Sequence, residues 1–496
     1  MNLMYRSTRD SNNRVTASQA VLQGLSSDGG LFVPETIPVL DKTIDELSNM
    51  DYRGLAYEVM KLFLTDYTEE ELKECIEKAY DDKFDTPEIA PLKEIGQAYY
   101  LELFHGATIA FKDMALSILP HLLTKAAKKN HVREEIVILT ATSGDTGKAA
   151  LSGFADVKGT KIIVFYPKDG VSSVQEKQMV TQRGDNTHVI GIQGNFDDAQ
   201  TGVKKMFNNI ELADRLKKSG YLFSSANSIN IGRLVPQIVY YVHSYISLYR
   251  KKQVQLGEKI NFVVPTGNFG NILAAYYAKC LGIPINKLIC ASNENKVLFD
   301  FFNTGCYDRN REFILTASPS MDILVSSNLE RLIYHIADND SQRTAELMKA
   351  LAVNGSYEIT ESMKAKLNGF VGGWASEDET RTAINKVYKE NGYVIDTHTA
   401  VAASVYYGYV NETGDTAKTV IVSTASPYKF AGSVLKALEA EAIPADDYEQ
   451  AILLNNISGT YIPKAVEEIR TAPVLHKKVC ETNKMQDIVE DILKII

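Results

Sequence analysis

Short apolar runs separated by helix-length stretches constrain this chain more than any other feature. "EEIVILTAT" (134–142), "TKIIVFYP" (160–167) and "THVIGIQG" (187–194) are β-rich and lack polar alternation, so each reads as a strand buried on both faces. Between and after them "GKAALSGFADVKG", "VSSVQEKQMVTQRG" (ended by Gly184) and "FDDAQTGVKKMFNN" read as helices. Strands alternating with helices imply parallel β-α-β units. The pattern pauses at a tyrosine-bearing helix, "VPQIVYYVHSYISLYR" (235–250), and a polar spacer, "KKQVQLGEK". It resumes with "INFVVP" (260–265), "KLICASN" (287–293) and "TVIVSTAS" (419–426). The expected fold is α/β: two α/β lobes with mainly parallel sheets, plus a mainly helical N-terminal region over residues 1–95.

That region contains "TEEELKECIEKAYDDKF", which places Leu72, Cys75, Ile76 and Tyr80 on one helical face. The segment 441–496 also reads as helical. Five cysteines without a CxxC pair fit reduced thiols and argue against a structural zinc site. A net charge of −9 disfavours broad nucleic-acid binding. No apolar run approaches the ~20 residues of a membrane span, and the N-terminus shows no apolar secretory core. The expectation is a soluble, cytoplasmic protein that binds no nucleic acid, membrane or metal.

In α/β sheets ligands sit at the carboxyl ends of strands, and three such ends are suggestive. In "VVPTGNFGNILAAYYA" the residues Gly267, Asn268, Phe269, Gly270 and Asn271 lie between a strand and a helix start, where backbone N–H groups can converge on an anion. A plain tight turn fits the same residues. In "ILTATSGDTGKAAL" Thr142, Ser143, Asp145 and Thr146 could hold a substrate carboxylate or simply cap a helix. Lys148 there has the wrong spacing for a P-loop, and Ala149 replaces the hydroxyl such a loop needs. In "IVSTASPYKFAG" Ser423 and Thr424 could satisfy local backbone or hydrogen-bond a heteroaromatic nitrogen.

Lys112, in "ELFHGATIAFKDMALSILPHLL", is an ammonium set among apolar residues. It either snorkels to water or is partly desolvated, with a lowered pKa and an amine able to form a Schiff base. Such a lysine, a glycine loop for a phosphate and a polar partner for a ring nitrogen are the parts a pyridoxal-phosphate site needs.

Together "ELFHGATIAFKDMA", "TATSGDTGKAA", "SANSINIGRLVPQ", "VVPTGNFGNILA", "DTHTAVA" and "STASPYKF" resemble the threonine synthase family, pyridoxal-phosphate enzymes of fold type II. The N-terminal "YRSTRD…ASQAVLQGLSSDGGLFVPETIP" looks like the long form of that family. The resemblance implies that Lys112 holds the cofactor, that Gly267 to Asn271 cradle its phosphate, and that Thr424 lies beside its pyridine nitrogen. It implies that Ser143, Asp145 and Thr146 embrace the substrate's α-carboxylate and that Asn227, Ser228 and Arg233 bind its phosphate. The implied reaction turns O-phospho-L-homoserine and water into L-threonine and phosphate. It also implies a large cofactor-binding domain (96–125 and 245–440), a smaller mobile α/β domain (126–244) and a C-terminal extension (441–496). Ala107 stands where the family usually has proline, Ser426 where histidine is frequent, and Asp145 where related enzymes often have asparagine. His105 is expected to steady the loop before Lys112, whereas His398 could contact substrate or order its own loop.

Overall fold

The computed structural model describes residues 2–142, 144–171 and 173–495. Two separate parallel-rich sheets carry the α/β architecture expected from the strand-helix alternation. The larger has six strands in the spatial order Phe370–Trp374, Ile285–Ser292, Ile260–Pro265, Thr419–Ser423, Ala98–Glu102 and Leu92–Ile95. Only the edge pair Leu92–Ile95 with Ala98–Glu102 is antiparallel. Ile260–Pro265 and Thr419–Ser423 are buried at every residue, as strands covered on both faces must be. Val263 pairs with Ile421, and Ile421 with Tyr100, so three neighbouring strands end side by side.

The smaller sheet has five parallel strands, ordered Val479–Glu481, Thr187–Gln193, Thr160–Pro167, Glu135–Ala141 and Tyr221–Ser224. Helices Asp145–Phe154, Ser173–Val180, Phe196–Phe207 and Ile210–Lys218 connect its strands. Asn195 and Asp198 form a reciprocal capping box that starts the third of these.

Residues 1–95 are mainly helical, as expected, and Arg14–Thr16, Met4–Ser7 and Phe32–Pro34 add an antiparallel sheet beside helices such as Tyr52–Phe63 and Glu69–Ala79. Strands of three or four residues are too short for their periodicity to show.

One helix spans the expected boundary at residue 244. Helix Ile231–Arg250 is buried from Ile231 to Leu248 and packs on helices Gly270–Cys280 and Tyr52–Phe63. A helix that is apolar nearly all round belongs in a core, between layers.

The segment 441–496 includes a strand and divides between the lobes. Ala451, Leu454 and Val466 join a core with Val434 and Leu435 of the larger lobe. Strand Val479–Glu481 completes the smaller sheet, and helix Met485–Leu493 adds Met485, Val489 and Leu493 to that lobe's core. All five cysteines are free, and among the described residues no helix is long and apolar enough to cross a membrane.

Met485 is buried against helix Phe196–Phe207, where a Cβ on Gly202 would stand 2.4 Å from its sulfur. Met485→Ala therefore opens a cavity in the smaller lobe. Denaturant titration should show a loss of about 2–4 kcal/mol, with an unfolding midpoint no lower than wild type counting against this docking.

Candidate active site

Lys112 is placed by two sets of hydrogen bonds that start from its neighbours. Strand Thr419–Ser423 lies beside Ala98–Glu102, and the chain after it is stitched to the chain before Lys112. The Phe111 N–H donates to the Thr424 carbonyl at 2.8 Å, and the Ser426 N–H donates to the Ile109 carbonyl at 3.0 Å. Ahead of it, the Thr108 N–H and hydroxyl donate to the two Asp113 carboxylate oxygens at 2.7 and 2.6 Å. A Cβ on Gly106 would lie 2.6 Å from that carboxylate, so glycine is required for the loop to close over it. Lys112 thus begins the short helix Asp113–Leu116 with its backbone held on both sides.

Its amine meets a small-lobe carboxylate. Lys112 Nζ donates to Ser320 Oγ at 3.1 Å and to Asp145 Oδ2 at 3.4 Å. Asp145 also pairs with Lys429 Nζ at 3.2 Å and accepts from Gln175 Nε2 at 3.0 Å. Burial lowers the Lys112 pKa; Asp145 opposes this, while the positive charges of Lys429 and Arg233 add to it. Burial works against ionisation of Asp145, yet Lys429 and Lys112 hold its carboxyl well below the usual carboxylate range. A partly desolvated amine has the character that nucleophilic attack on an aldehyde requires.

The glycine loop stands next to it, because Ile260–Pro265 and Thr419–Ser423 are paired. Phe269 takes a left-handed φ of 62° and its ring stacks on Phe302, at 6.0 Å between centroids. That sharp turn starts helix Gly270–Cys280. Ser326 Oγ donates to the Gly267 carbonyl at 2.6 Å, and the Asn328 N–H donates to the Asn268 carbonyl at 3.0 Å.

These residues fit pyridoxal phosphate on their own chemistry. The N–H groups of Gly270, Asn271 and Ile272 have no acceptor among the described residues. Asn271 Nδ2 is buried without a partner, while Asn271 Oδ1 takes the hydroxyls of Tyr240 and Tyr241 at 2.5 and 2.7 Å. Spare donors at a helix N-terminus suit a phosphate, and a primary amine nearby suits an aldehyde.

The expected substrate residues divide. Arg233 is buried, its Nη1 donates to the Ala226 carbonyl at 3.1 Å, and its Nε has no partner among the described residues. Among the described residues no carboxylate pairs with it, and burial pulls its pKa down to about 10. Ser228 Oγ accepts from Asn328 Nδ2 at 3.4 Å, whereas Asn227 is exposed and its carbonyl accepts the Asn230 N–H. Ser143 lies outside the described residues. Thr146 follows Asp145 at the start of helix Asp145–Phe154, which Thr142 Oγ1 caps by accepting from Gly144 and Gly147.

The Asp145 side chain lies against the Lys112 and Lys429 amines, and an ionised carboxylate there is not itself a partner for a substrate carboxylate. Lys148 is not a phosphate ligand here; its Nζ donates to Gln182 Oε1 at 2.6 Å. Ser320, Lys429 and Gln175 were not anticipated. Lys429 had a visible signal, a charge between aromatic residues in "SPYKF", while Ser320 and Gln175 had none.

Residues 86–425 match the family model described as "Pyridoxal-phosphate dependent enzyme", the class that this fold and this lysine define. The flanking segments narrow the class. Residues 4–80 match "Threonine synthase N terminus" and residues 399–475 match "Threonine synthase, C-terminal".

Threonine synthase of Schizosaccharomyces pombe is 37% identical, over 88% of this chain and 89% of that protein. The PLP-bound threonine synthase of Brucella melitensis, a solved structure, is 33% identical with a TM-score of 0.85, covering 99% of each chain. The chain belongs to the threonine synthase family. It is also 39% identical to human threonine synthase-like 1 over 95% of its own length, and it spans 63% of that longer protein.

His105 bears on the loop before Lys112. Its Nδ1 lies 2.5 Å from Asp85 and its Nε2 3.0 Å from Glu102, while Tyr461 and Tyr393 donate to those same carboxylates. Burial works against the charged ring, but the two carboxylates raise its pKa to about 9. A folded value above the unfolded 6.5 adds stability that is complete below pH 6.5 and lost as pH rises through about 9. His105→Gln should cost up to about 3 kcal/mol at pH 6 and far less at pH 10. Thermal melts at the two pH values check this, and an equal loss at both would contradict a charged His105.

Proposed function

We propose that the chain is a threonine synthase, a lyase that converts O-phospho-L-homoserine and water into L-threonine and phosphate. The observation that carries this reading is Arg233. A buried guanidinium with an idle Nε and no carboxylate partner among the described residues is costly unless an anion completes it. It sits close enough to Lys112 to bear on that amine electrostatically. A substrate phosphate would supply the anion that this guanidinium lacks.

Pyridoxal phosphate, when bound, supplies an electron sink that stabilises negative charge beside the substrate's amine. Lys112 would hold it, the N–H groups of Gly270 to Ile272 and Asn271 Nδ2 would take its phosphate, and Thr424 would lie by its ring. Thr424 carries a hydroxyl where a carboxylate would favour a protonated ring nitrogen.

The chain's own residues do the rest. Arg233 binds the substrate phosphate, the group that must leave, with its planar fork suited to phosphate oxygens. The Asp145 and Thr146 N–H groups, which have no acceptor among the described residues, lie at a helix N-terminus suited to the substrate's α-carboxylate. Lys112 Nζ, lowered in pKa by burial, is the base at hand for the protons at Cα and Cβ. Asp145 reaches from the smaller lobe to Lys112 and Lys429 and so draws the lobes together.

Incubation with O-phospho-L-homoserine should release phosphate and threonine in equal amounts. Release of 2-oxobutanoate in place of threonine would assign the chain to the dehydratases. Arg233→Met should lower kcat/KM for the phosphorylated substrate on the order of a hundredfold and leave cofactor binding in place; an unchanged kcat/KM would remove Arg233 from the phosphate subsite.

A further inference from the structure

Ser320 lies in the turn Pro319–Met321 of the larger lobe, with its hydroxyl between two charges. Ser320 Oγ is 3.1 Å from Lys112 Nζ and 3.0 Å from Asp145 Oδ2. An ionised carboxylate only accepts, so the hydroxyl proton points to Asp145 and a lone pair faces the Lys112 amine. Among the described residues Ser320 is the one neutral group hydrogen-bonded to Nζ. Where this hydroxyl stands therefore governs where the amine points.

Two anchors hold the turn. On one side the Asp322 carboxylate accepts from the Thr316 N–H at 3.0 Å and from the side-chain amides of Asn293 and Asn295 at 2.7 and 3.0 Å. On the other side the Ser320 N–H donates to His398 Nε2 at 3.1 Å. A backbone N–H can only donate, which leaves Nε2 unprotonated and puts the ring proton on Nδ1. Nδ1 then donates to Asp396 Oδ2 at 2.8 Å.

Asp396 is itself fixed. It is fully buried and caps helix Thr397–Thr413 by accepting the His398 and Thr399 N–H groups at 2.9 and 3.0 Å. The Phe430 ring lies 4.9 Å from the imidazole and closes its face. The glycine loop presses on the same turn: a Cβ on Gly267 would stand 2.4 Å from the Ser320 carbonyl oxygen.

We propose that Asp396 and His398 are positioning residues for Lys112, acting through the Ser320 turn to aim its amine at the cofactor. The chain runs from a helix cap through an imidazole of set tautomer to a backbone N–H, and from the same residue's hydroxyl to the reacting nitrogen. It rests on the reading of Lys112 as the amine that holds pyridoxal phosphate, and it gives His398 a task that requires no contact with substrate.

The test uses capture rather than turnover. Cofactor-free protein is mixed with pyridoxal phosphate, the adduct is fixed with borohydride at intervals, and modified Lys112 is counted by peptide mass. His398→Ala and Ser320→Ala should each slow capture on the order of ten- to a hundredfold, as misaimed reacting groups do. The double variant should be no slower than Ser320→Ala, because His398 acts only through Ser320. His398→Gln can accept the Ser320 N–H and donate to Asp396, so it should recover most of the rate. His398→Leu fills the space without an acceptor and should behave as alanine does, which guards against a variant that merely opens a cavity. Wild-type capture in His398→Leu, or losses that add in the double variant, would overturn the proposal. If wild-type protein carries no adduct at Lys112, the reading of Lys112 itself fails, and the inference with it.

Discussion

The structure turns on one carboxylate. Asp145 leaves the smaller lobe and is gripped by three larger-lobe groups, Lys112, Lys429 and the Ser320 hydroxyl. In net energy such a buried cluster is close to neutral, since desolvation offsets most of the Coulomb attraction. What it contributes is position. Lys429 also donates to the Thr108 carbonyl at 3.0 Å, so the cation that holds Asp145 is tied to the loop that aims Lys112. Were Lys112 to hold the cofactor as proposed, Lys429 would still pair with Asp145.

Around that contact the fold places its chemistry by adjacency. Three parallel strands end together, and each end supplies one part: the lysine segment after Ala98–Glu102, Thr424 after Thr419–Ser423, and the glycine loop after Ile260–Pro265. The spare N–H donors belong to a helix start, and the amine to a segment stitched onto the neighbouring strand. Each part is held by backbone hydrogen bonds or by a glycine that no other residue could replace, and so the site is formed in advance of any ligand.

What could be read from the sequence follows from how local each signal is. Buried strands announce themselves by composition, and Lys112 by its contrast with its neighbours. The glycine loop was visible because a strand, two glycines and a helix lie within sixteen residues. Ser320 was invisible: "SPSMD" is an ordinary turn, and its partners Asp145 and Lys112 lie 175 and 208 residues away. The pairing of Asp145 with Lys429 leaves no local mark, because the two lie far apart in the chain. The strand Val479–Glu481 escaped notice since only three residues pair and two of them are exposed. The bond from the Ser320 N–H to His398 is likewise one that no sequence pattern reveals.

That late strand has a consequence for how the protein comes to be folded during synthesis. Its partner, Thr187–Gln193, leaves the ribosome roughly 290 residues earlier, and helix Phe196–Phe207 with it. Throughout that interval the growing chain carries an unpaired parallel edge, and the helix surface at Gly202 lacks the Met485 side chain that later covers it. Such an edge is a template for pairing with other chains. The window of risk is set by elongation time, and a nascent chain held up between those two segments is the form of this protein most in need of a chaperone.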